Sequence, residues 1–131
     1  MKRTKEFLIK DIAEHSELIQ NYTKDMTFEQ FLDDSKTYNA VLRCIEVIGE
    51  AAKNIPDELK TKYSNIPWKN IAGMRDIVIH DYSTIDYEEV WQVAKKDVPE
   101  LVGNMKTIVI NENINIEKQP DKKPPEPDID F

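Results

Sequence analysis

The chain has 131 residues and a mass of 15.3 kDa, which fits a single domain. Its hydrophobic fraction of 40% and charged fraction of 33% are typical of a globular protein in water. The formal net charge of -7 argues against broad, nonspecific binding to nucleic acid or to an anionic membrane, because long-range repulsion opposes both. Any phosphate-bearing ligand would need a local cationic pocket.

The single cysteine, Cys44, excludes an intrachain disulfide framework and a zinc cluster built on cysteines. Three glycines and seven prolines are too few for a turn-rich β fold and favour helices. The apolar runs are too short to cross a bilayer, and the start of the chain lacks the apolar core of a signal peptide. We therefore expect a cytoplasmic protein without membrane contact.

A first helix is predicted over residues 5–22, because bulky side chains recur there at steps of three and four. One member of the stripe, His15, is expected to be a core or interface residue rather than a catalytic one. The stripe consists of Leu8, Ile12, His15, Ile19 and Tyr22.

A second helix is predicted to begin at Thr27, because Thr27 and Gln30 have the spacing of a capping box. It runs to about Asn54, with a kink near residues 33–35. Cys44 lies on its apolar stripe and is interpreted as a packing residue rather than a nucleophile. The stripe consists of Val41, Cys44, Ile45, Ile48, Ala52 and Ile55.

Prolines mark the helices of the second half of the chain. A short helix is predicted over residues 56–63, and Pro67 begins a third long helix that runs to about His80. Asp86 is predicted to cap the last helix, which Pro99 should bend because proline lacks a backbone donor. The two tryptophans are interpreted as core anchors rather than platforms for a nucleic-acid base. They are Trp68 and Trp91.

The last segment, residues 111–131, contains four prolines, six acidic residues and three lysines. Such a composition buries too little apolar surface to offset the loss of chain entropy, so we expect a disordered tail. Residues 128–131 leave a second interpretation, a docking peptide. The sequence thus predicts one all-α domain, an antiparallel helical bundle over residues 1–110, followed by the tail.

The end of the predicted third helix brings together three kinds of polar group. Arg75, His80 and Tyr82 supply a fixed cation, an imidazole that titrates near neutrality and a phenol. Arg75 and Tyr82 share a helix face, whereas His80 lies about 140° from Arg75 in a continuous helix. The three converge only if the helix ends near His80 or a second chain completes the pocket. Spacing alone leaves open a plain helix end with Arg75 and Asp76 in surface ion pairs.

A second polar set, Arg43, Glu46 and Glu50, shares one face of the second helix. One interpretation is a solvated face with an Arg–Glu pair. The other is a cleft in which Glu46 or Glu50 holds the arginine or the histidine of the motif by a hydrogen bond. Gly49 in this helix costs about 1 kcal/mol relative to alanine, and close approach of another helix would explain its presence.

The arrangement Arg75-x4-His80-x-Tyr82 at a helix end resembles the signature of the HEPN superfamily, specifically the HepT-like toxins of bacterial and archaeal toxin–antitoxin pairs. The resemblance covers residues 5–105, essentially all of the predicted domain. It extends to FLDD at 31–34, RCIEVIGEAA at 43–52, IPW at 66–68, GMRD at 73–76, VW at 90–91 and DVPEL at 97–101.

The resemblance implies a helical homodimer in which the motifs of both chains meet in a cleft, and a metal-independent endoribonuclease without a cofactor. Arg75 and His80 would be its catalytic residues. It further implies a partner, an MntA-like minimal nucleotidyltransferase antitoxin that neutralises the toxin by AMPylating Tyr82. Asp76 stands where the broader superfamily often has asparagine. Supporting roles are assigned to Tyr82, Asp76, Glu46 and Glu50.

Cleavage of RNA without a metal needs a base for the 2′-OH, an acid for the departing 5′-oxygen and a cation for the phosphorane. His80 is the only histidine of the motif, so a symmetric dimer would have to supply two imidazoles. Arg75 would clamp the scissile phosphate of an mRNA or a tRNA. A rival function is a non-catalytic module that binds a nucleotide or the nucleotidyltransferase, which the acidic net charge favours. A plain helical scaffold does not explain the motif.

Overall fold

The computed structural model of the chain describes residues 3–79 and 84–116. Within these two ranges the chain forms eight α-helices and one π-helical turn, without any strand, which confirms the all-α prediction. The π-helical turn, Val93–Asp97, joins the last two helices. The helices are α1 (Lys5–Thr23), α2 (Phe28–Asp33), α3 (Ser35–Lys53), α4 (Asp57–Lys62), α5 (Trp68–Gly73), α6 (Arg75–Ile79), α7 (Tyr87–Gln92) and α8 (Val98–Asn111).

The centre of the antiparallel bundle is α3, which packs against α1 on one side and against α5 and α6 on the other. In turn, α1 packs against α8. The apolar stripe predicted for α3 is buried in full, from Val41 to Ile55, so its helical period was read correctly. No helix among the described residues is long and apolar enough to cross a membrane.

The predicted core face of α1 was wrong in one member, Tyr22, which is 40% exposed. His15 is half-buried, so its prediction as a core or interface residue stays a prediction. The buried arc is rotated around the helix towards Ile9 and Ala13, since α1 must cover both α3 and α8. Periodicity located the helix and most of its core positions but not the width of the buried face.

The predicted kink in the second helix is a complete break at Asp34. The carboxylate of Asp34 accepts hydrogen bonds from the backbone N–H of Thr37 at 3.0 Å and from its hydroxyl at 2.7 Å. These bonds cap α3 and hold the pKa of the Asp34 carboxyl below its usual range. The capping box before α2 is confirmed, with Thr27 and Gln30 bonded in both directions.

The predicted third helix is divided into α5 and α6, so its continuity was wrong. Met74 lies between them, and its N–H donates to the carbonyl of Ile71 at 3.2 Å in a tighter turn. Gly73 ends α5, where its low helix propensity weakens the helix. The result is a short five-residue α6 that begins at Arg75.

The last predicted helix contains a π-helical turn, directly before the proline that was expected to bend it. Asp86 caps α7 as predicted, because its carboxylate accepts from the N–H of Glu89 at 3.1 Å. Pro99 has no N–H to donate back along an α-helix, and the wider π-helical turn before it accommodates the missing hydrogen bond.

The chain beyond α8 folds back against α4. Glu112 accepts hydrogen bonds from the Lys62 ammonium and the Tyr63 hydroxyl, each at 2.7 Å. The N–H of Ile114 donates to the carbonyl of Val109 at 3.0 Å. Glu112 and Ile114 of the predicted tail therefore contact the bundle. Residues 117–131, and with them the predicted disorder, lie outside the described ranges.

Candidate functional site

The backbone of Arg75 lies unusually close to α3. A Cβ atom built on Gly49 would be 2.8 Å from the Cβ of Arg75 and 3.1 Å from both the Arg75 amide nitrogen and the Ala72 carbonyl oxygen. Two carbon atoms are at their optimum near about 3.5–4.0 Å, so a side chain at position 49 would push α6 away. The predicted reason for Gly49, a close approach of another helix, is confirmed.

The side chain of Arg75 is held by the next residue of α3. Its guanidinium Nη1 forms an ion pair with Oε2 of Glu50, and the two side chains are 29% and 55% exposed. A pair this open to water adds little to stability, but it fixes the direction of the guanidinium. Gly49 and Glu50 thus place the backbone and the side chain of the same arginine.

The other acidic residue of this face has a different partner. Oε2 of Glu46 lies 3.4 Å from Nη1 of Arg43, one turn earlier on α3, and both side chains are open to water. Each of the two interpretations of this face therefore holds for one of its two glutamates. Glu46 belongs to a solvated pair, and Glu50 is the one that contacts the motif arginine.

A cavity of about 730 Å³ opens between α1 and α3 and includes Arg75. Its charged lining consists of three guanidiniums, each paired with a carboxylate. The third pair joins Nη1 of Arg3 to Oδ2 of Asp11 at 3.6 Å. Because a phosphate can replace a carboxylate on a guanidinium, each of these pairs is a place where an anion in this cavity could bind. The six residues are Arg3, Arg43, Arg75, Asp11, Glu46 and Glu50.

Sequence reasoning missed Arg3 and Asp11. Arg3 precedes the first helix and has no pattern of its own, and Asp11 reads as an ordinary polar position of α1. Only the packing of α1 on α3 brings them beside Arg43 and Glu46.

The other motif residues are placed in part. Asp76 is exposed in the first turn of α6, where a carboxylate interacts favourably with the helix N-terminus. The last described residue of α6 is Ile79, directly before His80. His80 and Tyr82 lie outside the described residues.

Cys44 and Trp68 are packing residues. Cys44 is 4% exposed, and burial raises the pKa of its thiol to about 11, so the thiolate needed for nucleophilic attack is scarce at neutral pH. Trp68 is 7% exposed and its indole donates to the carbonyl of Tyr63 at 3.1 Å. Trp91 was also predicted to anchor the core. It is half-buried, and its ring centroid lies 5.1 Å from that of the buried Phe31.

The all-α bundle, with an arginine fixed at the head of the helix that leads to His80, defines a HEPN-type helical protein. Residues 12–108 match the family described as ribonuclease HepT-like, and the chain belongs to this family. The resemblance that the sequence motif indicated is thereby confirmed.

Curated relatives match across nearly the whole described chain. The protein named Probable ribonuclease HepT from Thermococcus cleftensis is 44% identical over 108 residues, which are 82% of this chain and 98% of the relative. A protein of Methanocaldococcus jannaschii, named provisionally as an RNase, is 44% identical over 82% of this chain and 93% of its own length. One from Caldanaerobacter subterraneus, named in the same way, is 39% identical over 86% and 99%. No solved structure matches the chain significantly.

Proposed function

We propose that this protein is a toxin-type HEPN ribonuclease, a metal-independent endoribonuclease of the cytoplasm that cleaves RNA through Arg75, His80 and Tyr82. The observation that carries the proposal is the double fixation of Arg75 by Gly49 and Glu50, at the head of a five-residue helix that leads straight into His80. A solvated helix end would need neither restraint. The names of the relatives, which are ribonuclease names, agree with this activity.

The proposed reaction is a transesterification followed by release of the 5′ product. His80 of one subunit takes the proton of the 2′-OH, whose oxygen attacks the phosphorus. The bond from phosphorus to the 5′-oxygen breaks, and His80 of the other subunit donates a proton to that oxygen. The products are a 2′,3′-cyclic phosphate and a 5′-OH end. Arg75 stabilises the negative charge that builds on the phosphorane oxygens.

This chemistry requires two imidazoles, and the motif of one chain contains one. We therefore propose a two-fold homodimer in which both motifs face one cleft. His80 directly follows the described part of α6 in the sequence, so the proposed cleft would lie at the C-terminal end of this helix.

Supporting roles follow from the contacts on α3. Glu50 is a positioning residue for Arg75, since its carboxylate holds the guanidinium until a phosphate replaces it. Glu46 balances Arg43 in the same cavity. Asp76 keeps α6 capped by charge, and Tyr82 bonds a phosphate oxygen or orients His80.

We also propose that an MntA-like minimal nucleotidyltransferase acts as the antitoxin and AMPylates Tyr82. An adenylate there would add bulk and negative charge to the proposed cleft and so block RNA. Mass spectrometry after co-expression should show a shift of one or more AMP units that is absent in Tyr82→Phe. An unchanged shift in that variant would contradict the assignment of the tyrosine.

The activity is tested with purified, AMP-free protein, tRNA and mRNA in EDTA. We expect fragments with 2′,3′-cyclic phosphate ends, abolished by Arg75→Ala or His80→Ala. Lys106→Gln, an exposed lysine on α8 far along the chain from the motif, serves as the matched control for the loss of one positive charge. Cleavage that survives His80→Ala would overturn the mechanism.

The second candidate is a non-catalytic module that binds a nucleotide or the nucleotidyltransferase, and the net charge of -7 favours it. Intact RNA together with undiminished binding to the nucleotidyltransferase would support this module and exclude the ribonuclease.

A further inference from the structure

A second recess lies along α5, and three lysines line it. Its volume is about 550 Å³, and we name it the three-lysine recess. Lys53 comes from α3, Lys60 from α4 and Lys69 from α5, so three separate helices bring positive charge to one place. The remaining lining is apolar, and it consists of Ile66, Pro67, Trp68 and Ala72.

The charge of this recess is not balanced from within the described chain. Among residues 3–79 and 84–116, no acidic side chain forms an ion pair with Lys53, Lys60 or Lys69. The arginine cavity differs, since each of its guanidiniums has a carboxylate partner. In a protein of net charge -7, a group of three unpaired lysines around an apolar floor favours an acidic, partly apolar occupant.

Such an occupant is present in the same chain. Residues 126–131, EPDIDF, contain three acidic residues, no basic residue and two large apolar ones, Ile129 and Phe131. We propose that this segment docks into the three-lysine recess of its own chain. The carboxylates would pair with the lysines, and the two apolar side chains would cover the floor beside Trp68.

The last described residues follow a contact with α4, one of the helices that line the three-lysine recess. Glu112 is bonded to Lys62, the last residue of the helix that carries Lys60, and to Tyr63, which directly follows that helix. Ile129 is thirteen residues beyond Ile116, a stretch that reaches at most roughly 45 Å when extended. A tether of this length keeps the segment at an effective concentration on the order of millimolar, so weak contacts suffice for docking.

An RNA backbone is the competing occupant, because phosphates also pair with lysines. The observation against RNA is the floor, which offers apolar atoms where a phosphate chain has none, and Trp68 is too buried to stack a base. RNA is therefore one of the results that the experiment distinguishes.

The experiment attaches a nitroxide spin label to the full-length chain at Pro127→Cys and records amide and indole NMR signals of ¹⁵N-labelled protein. Cys44 is buried, so the unsubstituted chain treated with the same reagent controls for labelling there. We expect loss of intensity at Lys53, Lys60, Lys69 and the Trp68 indole. The Trp91 indole serves as the internal reference and should keep its intensity.

Two lysine triple variants separate specific docking from general attraction. Lys53→Gln, Lys60→Gln and Lys69→Gln together should restore the lost intensity. The matched triple variant, which removes the same charge elsewhere on the surface, should leave the broadening in place; it combines Lys24→Gln, Lys36→Gln and Lys106→Gln.

Three results would overturn the proposal. The first is equal broadening in both triple variants, which indicates nonspecific attraction. The second is broadening of the recess signals of a ¹⁵N-labelled chain without a spin label when it is mixed with a spin-labelled chain without ¹⁵N. This result indicates docking on another copy. The third is unchanged intensity of the recess signals in the spin-labelled chain, together with a shift of the Trp68 signal on addition of RNA. This result indicates that RNA is the occupant.

Discussion

The buried face and the polar face of α3 differ in how well the sequence predicts their contacts. Ile45 and Ile48 on the buried face have no exposed surface, and helical period alone assigned both to the core. Glu46 and Glu50 on the polar face look equivalent in sequence, yet one pairs within its own helix and the other with Arg75 on α6. Apolar burial is non-directional and can be read from spacing, whereas the partner of a charge depends on which helix arrives beside it.

The largest effect should come from the buried face. Ile48→Ala removes a fully buried side chain and leaves a cavity, so the free energy of unfolding should fall by about 2–5 kcal/mol. Urea denaturation followed by circular dichroism measures it. The control on the polar face is Glu46→Ala, which should change stability by about 0–1 kcal/mol. Equal losses in the two variants would erase the contrast between the faces.

The next effect concerns the boundary between the faces. Gly49→Ala places a Cβ 2.8 Å from that of Arg75, and such overpacking typically costs about 1–3 kcal/mol. RNA cleavage should fall as well, because α6 must move. Gly103→Ala, on α8, has open space around the added Cβ and should stabilise the helix by about 0.5–1 kcal/mol. A neutral Gly49→Ala in both assays would refute the close approach as a constraint.

A smaller effect on stability, but a selective one on activity, is expected on the polar face. Glu50→Gln removes the charge that holds Arg75 and should lower kcat for RNA cleavage, whereas Glu46→Gln should leave kcat nearly unchanged. Each exposed pair contributes about 0.2–1 kcal/mol to stability. Double-mutant cycles with Arg75→Lys and Arg43→Lys measure the two couplings. Similar kcat values for the two glutamate variants would show that the partner does not matter.

The smallest effect is expected at another polar contact, which Glu112 makes with Lys62 and Tyr63 at the end of α8. Hydrogen bonds from Lys62 and Tyr63 hold the pKa of the Glu112 carboxyl below its ordinary value of 4.5. Its stabilising contribution is therefore present above the unfolded pKa and is lost as the pH falls through the lower, folded pKa. Acid unfolding of Glu112→Gln should lack this component. Superimposable pH profiles of the two proteins would contradict it.

The sequence predicted the elements of the fold better than their continuity. The capping box at Thr27 and the α3 stripe are local patterns and were recovered. The break at Asp34 was predicted only as a kink and the one at Met74 was not predicted, because residue propensity marks a weak turn but packing decides whether the helix breaks there. The width of the α1 face depended on two neighbouring helices, which no single helix reveals.

The candidate site shows the same division. The motif pointed to Arg75, and Gly49 was a local anomaly that signalled a close contact. Arg3 and Asp11 carried no signal because their proximity to α3 arises only from tertiary packing. The roles of His80 and Tyr82 stay predictions, since both lie outside the described residues.

The contact at Gly49 has a consequence for how this protein tolerates mutation. Every substitution at that position adds atoms in space that Arg75 of α6 already occupies, so the chemistry of the new side chain hardly matters. In a saturation scan that scores RNA cleavage, position 49 should stand out as uniformly intolerant although it bears no reactive group. Its neighbour Glu50 should instead discriminate among replacements by charge.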